Sequence, residues 1–301
     1  MNIDVSLIPT CLPKRRHLPS KPVKNNIIKQ DDFFLRNELK VAEFIKKIRY
    51  YSIWFDIIQK YTPLKVGEMD DRVLYQHEIT VSREIPTYVL CEYPTEQRVA
   101  FWEFMMNIPT RYLAVFHLFN SFSSILNNLE RLNQKGLYFY GFGSDNIVFG
   151  KNLFLRNFET CFFADQLPEF VAKTHDYEYK PFEFHVLKQL DKKKCATISP
   201  SILDEIGPNG EHLRPLLNKP IDLIKTELMS HADSWDKCNL ALVYLQLIDE
   251  LSDVFSLTYK FMNEFIDLLK QMSNPNPMKR LSKISEIRQQ IKSIQFTDIP
   301  H

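Results

Sequence analysis

The chain has 301 residues, of which 45% are hydrophobic and 25% charged, and 38 Lys and Arg against 37 Asp and Glu leave a formal net charge of +1. This composition is typical of a folded protein with one large or two modest domains. The near-neutral charge argues against a dedicated nucleic-acid binder, which would usually be far more basic. Only seven glycines occur, and glycine builds the loops that hold phosphates.

Signals for membranes, secretion, disulfides and metals are also weak. No stretch approaches the run of about 18 apolar residues of a transmembrane helix, and the N-terminal segment lacks the apolar core of a secretory signal. The five cysteines are widely spaced and form no CxxC pair, which predicts reduced thiols in a cytoplasmic-type compartment. The histidines avoid metal-binding spacings. We expect no metal, membrane or nucleic-acid partner.

The first part of the chain combines a proline-rich arm, one helix and short strands. Residues 1–28 hold four prolines and little periodicity, which predicts a flexible arm, either solvated or used for docking. An apolar stripe predicts a helix over 35–50. β-branched and aromatic residues then predict strands at 64–68, 72–80 and 87–93, and Pro94 ends the last of these.

After Pro94 the pattern becomes mainly helical. Leucines and phenylalanines from Leu118 to Leu132 recur at helical spacing, and Gly136 is placed to end that helix. A hairpin is predicted for 147–149 and 153–155, and residues 156–219 are predicted to be irregular. Further helices are predicted over 221–230, 236–251, 258–271 and 282–294.

The segment 129–149, LERLNQKGLYFYGFGSDNIVF, resembles the helix, catalytic loop and following strand of protein kinases. Gly136 matches the leading glycine of that loop, Asn146 its asparagine, and residues 147–149 its apolar strand. Other kinase-like landmarks follow in the correct order: 155–159 (LRNFE) for the Asp-Phe-Gly strand, 179–183 (YKPFE) for Ala-Pro-Glu, 233–235 (DSW) for Asp-x-Trp, and 276–280 (NPMKR) for Asp-Pro-x-x-Arg.

The resemblance covers about residues 30–295 and implies an α+β, bilobal, kinase-like fold. A flexible arm over 1–28 would precede a reduced small lobe over 29–93 and a mainly helical large lobe over 94–301. The divergent kinase-like proteins of large DNA viruses are the relatives that this implies. In that frame Glu38 stands for the glutamate of the small-lobe helix, and residues 91–93 stand for the hinge.

The catalytic positions are substituted. The family's catalytic carboxylate and the lysine two residues later are replaced by Gly141 and Gly143, and its metal-binding aspartate by Asn157. An amide is a poorer ligand for Mg²⁺ than a carboxylate, and losing the base costs orders of magnitude in rate. An ordinary turn without catalytic ancestry is the alternative explanation of the two glycines. Asp145 or Asp165 could act as a displaced base.

The nucleotide-binding half is also incomplete. The first glycine of the chain is Gly67, so no glycine-rich loop precedes the helix. Lys24 or Lys29 could pair with Glu38, although neither is expected in a typical strand, and a solvated Glu38 is the alternative. The resemblance implies that any nucleotide would meet Asn146, Asn157, Glu38 and Glu92. No cofactor is expected, and weak binding of ATP and Mg²⁺ is the alternative.

Structural positions of the family are kept. The resemblance implies a buried ion pair between Glu183 and Arg280, and backbone hydrogen bonds from the catalytic loop to Asp233. A buried charge that has lost its partner costs about 3–5 kcal/mol, so the presence of both partners favours an intact large lobe.

The expected function is that of an inactive pseudokinase that binds a protein partner, of which an active kinase is one candidate. The alternatives are an atypical, active Ser/Thr kinase that uses ATP, and a helical interaction protein without kinase ancestry. The lysines at 192–194 are expected in a solvated loop or, alternatively, in a patch for an acidic partner.

Overall fold

The computed structural model describes residues 25–64, 88–94, 96, 98–166, 181–193, 197, 199–200 and 213–294. These residues divide into two compact units. The first unit contains the described residues within 25–104 and 144–161, and the second contains those within 105–143 and 162–294. The predicted lobe boundary after Tyr93 stays a prediction.

The α+β class is confirmed, with short strands in the N-terminal part and mainly helices in the C-terminal part. The strands are β1 (Asn26–Gln30), β2 (Lys60–Leu64), β3 (Tyr88–Glu92), β4 (Val99–Ala100), β5 (Leu137–Phe139), β6 (Ile147–Phe149), β7 (Leu153–Leu155) and β8 (Cys161–Phe163). The helices are α1 (Phe33–Ile45), α2 (Phe101–Met106), α3 (Arg111–Asn133), α4 (Phe182–Lys193), α5 (Ile221–Met229), α6 (Trp235–Val254), α7 (Lys260–Met272) and α8 (Ile284–Ser293).

An antiparallel sheet in the order β1-β3-β2 and helix α1 form one half of the first unit. Lys29 of β1 is opposite Val89 of β3 in this sheet. Helix α1 begins at an N-cap, where the Asp32 carboxylate accepts a hydrogen bond from the backbone N–H of Leu35. Its buried face joins the sheet in an apolar core made of Leu35, Ile58, Val89, Cys91 and Tyr93.

A second antiparallel sheet in the first unit has the order β4-β6-β7. Its β6–β7 hairpin pairs Ile147 with Leu155, as predicted for 147–149 and 153–155. The backbone of Leu155 also bonds the segment before β2, since its N–H donates to Trp54 O and its carbonyl accepts from Asp56 N. The hairpin is thereby fixed to the chain that follows α1.

Helices α3 and α6 form the centre of the second unit, where Tyr244 of α6 hydrogen-bonds Ser121 of α3 at 2.7 Å. Helix α6 is buried on nearly all sides. Strands β5 and β8 pair beside these helices. Helix α3 ends at Asn133, and Gly136 follows with a φ of +73°, as expected for a C-terminal glycine.

Several predicted boundaries differ from the observed ones. The first helix spans 33–45 and stops before a turn. A strand lies at 60–64, of which only Leu64 belongs to the strand predicted at 64–68; the rest of that strand and the one predicted at 72–80 lie outside the described residues. Strand β1 begins at Asn26, inside the predicted arm, of which 1–24 lie outside the described part. The region 156–219 is not uniformly irregular, because its described part contains α4.

No helix in the described part of the chain is long and apolar enough to cross a membrane.

Candidate functional site

Lys29 and Glu38 form an ion pair between β1 and α1. The Lys29 Nζ lies 2.5 Å from Glu38 Oε2, and the side chains are 16% and 1% exposed. Lys29 lies in strand β1, directly after Ile27 and Ile28. The expectation that neither Lys24 nor Lys29 would lie in a typical strand is therefore wrong for Lys29. The alternative of a solvated Glu38 is wrong, because its carboxylate is buried and paired.

The carboxylate of Glu38 accepts hydrogen bonds from three segments of the first unit. Besides Lys29, the Tyr93 hydroxyl donates to Oε1 at 3.0 Å, and the backbone N–H of Phe158 donates to the same oxygen at 3.2 Å. Burial and the nearby Glu38 raise the pKa of Tyr93 well above its ordinary range, so the phenol stays a donor. These three donors satisfy the buried carboxylate of Glu38.

Glu159 supplies a second carboxylate to the same lysine. Its Oε2 lies 3.2 Å from Lys29 Nζ, and its side chain is 31% exposed. The backbone around Glu159 is fixed by Asn37, whose Nδ2 donates to Cys161 O at 2.6 Å and to Glu159 O at 3.3 Å. In the sequence, Glu159 belongs to the LRNFE segment, but no role was predicted for its carboxylate.

Lys29 is held as a cation by the chain itself. Burial alone would lower the pKa of Lys29, but Glu38, Tyr93 and Glu159 reverse this effect and raise its pKa well above the ordinary value. The ammonium therefore stays charged and contacts two carboxylates of the chain. An external phosphate would have to compete with both of them for this ammonium.

Asn146 and Asn157, predicted to contact any bound nucleotide, come together within the first unit. The Nδ2 of Asn146 donates to the carbonyls of Arg156, at 3.0 Å, and Asn157, at 2.7 Å. The Nδ2 of Asn157 donates to Asp145 O at 3.0 Å, and its backbone is left-handed with a φ of 57°. Both amides cross-link the turn before β6 to the segment after β7.

The backbone at Glu92 is engaged in the fold. Its carbonyl accepts from Gln59 N at 2.8 Å, and the next N–H, of Tyr93, donates to Asn25 O at 2.7 Å. The Glu92 carboxylate pairs with Lys60 at 3.1 Å. These polar groups at the predicted hinge are therefore already hydrogen-bonded within the protein.

Gly141 and Gly143 lie in the second unit, in the loop after β5. The aromatic residues around them turn into the core: Phe139, Tyr140 and Phe142 are fully buried, and the Tyr140 ring stacks on Phe184 at 5.5 Å. The loop therefore places apolar rings inside the unit and no ionisable side chain at position 141 or 143.

Glu183 and Arg280 meet in the second unit as a bidentate ion pair. Arg280 Nη1 lies 2.8 Å from Glu183 Oε1, and Nη2 lies 2.7 Å from Oε2, with both side chains fully buried. Trp235 Nε1 donates to Glu183 at 3.2 Å, and Ser234 Oγ accepts from Arg280 at 2.8 Å. Burial would lower the pKa of Arg280, but the surrounding charges raise it further above its already high value.

The side chain of Asp233 is exposed, and the backbone hydrogen bonds expected for it stay a prediction. From α6, Asn239 bonds the loop after β5, since its Nδ2 donates to Tyr140 O at 3.0 Å. A buried carboxylate at this end of α6 is Asp236, which accepts from Asn133 at 2.7 Å and pairs with Lys237 at 3.0 Å.

A buried charge cluster that sequence reasoning missed lies in the first unit. Asp56 lies 3.1 Å from Arg98 Nε and 3.5 Å from Arg156 Nε, and all three are at most 3% exposed. The guanidinium of Arg98 covers the Phe154 ring at 3.7 Å, and that of Arg156 covers Tyr93 at 3.8 Å. The sequence signal for this buried cluster is Asp56 itself, an aspartate inside the otherwise apolar segment 54–58 (WFDII).

The arrangement does not fit a bound nucleotide–metal complex. Within the described residues no group of three or more His, Cys, Asp or Glu is placed to hold a metal ion. Asn157 offers an amide where a carboxylate would be the better ligand, and Lys29 is already matched by two carboxylates.

Comparison with known proteins gave structural matches only. No family model matches the sequence, and no curated protein matches it. Crystal structures of the Mycobacterium tuberculosis PknI kinase domain are similar. One double mutant is 13% identical with a TM-score of 0.46, covering 88% of this chain and 83% of that one. The unmutated domain is 12% identical with a TM-score of 0.46, covering 88% and 80%.

Proposed function

We propose that this chain is a kinase-like protein without phosphotransfer activity that acts by binding a protein partner. The ordered motifs across residues 30–295 support the kinase-like assignment, together with the Lys29–Glu38 and Glu183–Arg280 ion pairs. The observation that carries the inactive assignment is the position of Lys29 between Glu38 and Glu159. If Lys29 stands for the phosphate-binding lysine of the family, Glu159 competes with a phosphate for its ammonium.

The missing chemical groups support the same assignment. Phosphoryl transfer needs a carboxylate to orient the attacking hydroxyl and carboxylates or equivalent ligands to hold Mg²⁺. Position 141 has no side chain, and the amide of Asn157 is bonded to a backbone carbonyl. Removal of one such group lowers catalysis by about 10²–10⁴-fold, so their joint loss leaves binding as the remaining role.

The retained architecture supports a partner-binding role. The buried, bidentate Glu183–Arg280 pair is costly to bury, and it joins α4 to the turn after α7. Its retention in a protein without catalytic activity is explained if the fold must present a defined surface to a partner. We therefore expect the partner to be a protein, and an active kinase is one candidate.

The test is nucleotide binding and phosphate transfer by the purified full chain. We expect no rise in melting temperature at millimolar ATP with Mg²⁺ or Mn²⁺, and no ³²P transfer to generic protein substrates above a Lys29→Met variant. Transfer that is lost in Lys29→Met would overturn the proposal and favour the atypical active Ser/Thr kinase.

A second arm examines Glu159 directly. Glu159→Gln leaves Lys29 with a single carboxylate, so we expect a larger ATP-induced rise in melting temperature than in wild type. Glu130→Gln is the matched control, because Glu130 pairs with Arg288 in the second unit. Equal shifts in all three proteins would show that Glu159 does not block an anion site.

A further inference from the structure

The end of α1, the turn after it and the start of β2 form an exposed surface that we call the basic–aromatic surface. It consists of Lys46, Lys47, Arg49, Tyr50, Ile53 and Tyr61. Its large apolar side chains are unusually open to solvent: Tyr50 is 57%, Ile53 45% and Tyr61 51% exposed. Exposed large hydrophobic side chains that cluster mark interaction sites more often than isolated ones do.

Gln59 connects the two halves of this surface. Its carbonyl accepts from Lys46 Nζ at 3.3 Å, and its side-chain Oε1 accepts from the Tyr51 hydroxyl at 3.4 Å. Gln59 directly precedes β2, in which Tyr61 points to the same face of the sheet as Gln59 because strand side chains alternate. Lys46, Tyr51 and the start of β2 are therefore neighbours in space around Gln59.

The charge of the surface is positive. Three cations, Lys46, Lys47 and Arg49, face one carboxylate, since Glu43 pairs with Lys46 at 2.7 Å. Lys47 and Arg49 are exposed and have no ion pair with a carboxylate among the described residues. Among the described residues of this surface, two positive charges remain in excess.

Tyr50 is held in a strained and ordered conformation at the centre of the surface. Its φ of 60° is in the left-handed region, which is rare for an aromatic residue. Arg49 lies over its ring at 4.6 Å and donates to its hydroxyl at 2.7 Å. Strain of this kind persists where the surroundings fix it, and it is found preferentially at functional positions.

We propose that the basic–aromatic surface binds an acidic segment of a partner protein that carries an aromatic or large aliphatic side chain. This rests on the proposed function, that the chain acts by binding a protein. Acidic groups of the segment would meet Lys47 and Arg49, and its apolar side chain would pack on Tyr50, Ile53 and Tyr61. Tyr and Arg are the residue types that contribute most at protein interfaces.

The same observations disfavour a nucleic acid or a membrane as the ligand. Lipid headgroup recognition usually uses about 4–8 clustered basic residues, and nucleic-acid binding draws on many phosphate contacts. Here one of the three cations is already paired with a carboxylate, and the exposed Tyr50, Ile53 and Tyr61 offer apolar area to a partner. An acidic peptide with an apolar anchor satisfies both features.

The test is selection of peptides from a random display library on the full chain, followed by fluorescence anisotropy with the selected peptides. We expect enrichment of Asp and Glu together with Phe, Tyr, Trp or Leu, and affinity that falls with added salt. The double charge reversal Lys47→Glu/Arg49→Glu should weaken binding at least about tenfold. The matched double reversal Lys151→Glu/Lys279→Glu, at exposed positions outside this surface, should not.

Tyr50→Gly separates binding from folding. Glycine adopts the left-handed conformation without strain, so we expect an unchanged or higher melting temperature together with at least about tenfold weaker peptide binding. The proposal is overturned if no acidic peptide is enriched, if both double reversals behave alike, or if the chain binds phosphatidylserine vesicles or single-stranded RNA more tightly than the peptides. Phosphotransfer activity with intact peptide binding would overturn only the proposed function.

Discussion

Arg280 and Glu183 are 97 residues apart in the sequence, yet their side chains join through two parallel hydrogen bonds in the core of the second unit. Arg280 follows the turn after α7, and Glu183 lies in the first turn of α4. Because neither side chain has access to water, each depends on the other for its solvation. The pair therefore links two distant parts of the chain and makes their packing interdependent.

Loss of either member of this pair should be strongly destabilising. We expect Arg280→Met and Glu183→Gln each to lower the free energy of unfolding by about 3–5 kcal/mol, because each leaves an unpaired charge or polar group in the core. The double variant should lose much less than the sum of the two. Urea unfolding of all four proteins measures the coupling.

Arg288→Ala is the control for this cycle, because Arg288 pairs with Glu130 at the surface, with side chains 37% and 29% exposed. Its effect should stay within about 1 kcal/mol. Mild and additive effects of the two core substitutions would favour a helical protein without kinase ancestry.

Glu38→Gln should disturb the first unit through Lys29. The amide still accepts from Tyr93 and Phe158 at Oε1, but it presents an N–H₂ group to the Lys29 ammonium in place of an anion. We expect a loss of about 2–4 kcal/mol in unfolding free energy. Adding Lys29→Met should recover part of it, since the unmatched cation is then gone. No recovery in thermal or urea unfolding would contradict the central role given to this pair.

Asp56 should make stability depend on pH in the acidic range. Burial raises its pKa above the ordinary value of 3.8, although Arg156 and Arg98 act in the opposite direction. The folded protein then holds this proton to higher pH than the unfolded chain, so ionisation costs stability as the pH rises from 3.8 through the folded-state pKa.

The measurement is the difference in unfolding free energy between wild type and Asp56→Asn across this range. We expect the difference to shift against wild type as the pH rises and to become constant above the folded-state pKa. A shift in favour of wild type would mean that the two guanidinium groups outweigh burial.

Asn146→Asp tests whether this position serves the backbone or a metal ion. A carboxylate cannot donate, so the carbonyls of Arg156 and Asn157 would lose their buried donor. We expect a loss of about 1–3 kcal/mol in unfolding free energy. Mg²⁺ should not restore the melting temperature. Recovery with millimolar Mg²⁺ would instead assign a metal-binding role to this position.

Gly136→Ala should cost about 1–2 kcal/mol of unfolding free energy, because alanine is strained at a φ of +73°. A Cβ atom at this position would meet no heavy atom within 4 Å, so the cost is one of backbone conformation alone. Gly136→Asn should cost less, since asparagine tolerates this region better. Equal losses for both variants would point to a packing effect.

The short motifs and the amphipathic helices could be predicted from the sequence because each depends on residues that are close together along the chain. The α3 stripe and its glycine end, the β6–β7 hairpin and the four C-terminal helices follow from residues that are neighbours along the chain. The end of α1 was misplaced because the apolar spacing continues to Ile48, whereas the helix stops at Ile45 and a turn follows. Helix α4 was missed because prolines and charged residues surround it.

The partners of charged groups could not be derived in the same way. A sequence shows that Lys29, Glu38 and Glu159 are present, but 130 positions separate the first from the last. The Asp56 cluster and the contact of Asn239 with Tyr140 O are likewise set by packing between distant segments.

The amino-acid sequence by itself determined that positions 141 and 143 carry no side chain, since a glycine has none in any fold. Tertiary structure alone decided which anion Lys29 meets, because the folding of α1 against the segment after β7 brings Glu159 to it. Burial of apolar side chains drives this packing and is not directional. The charged side chains then pair with the neighbours that the packing brings close to them.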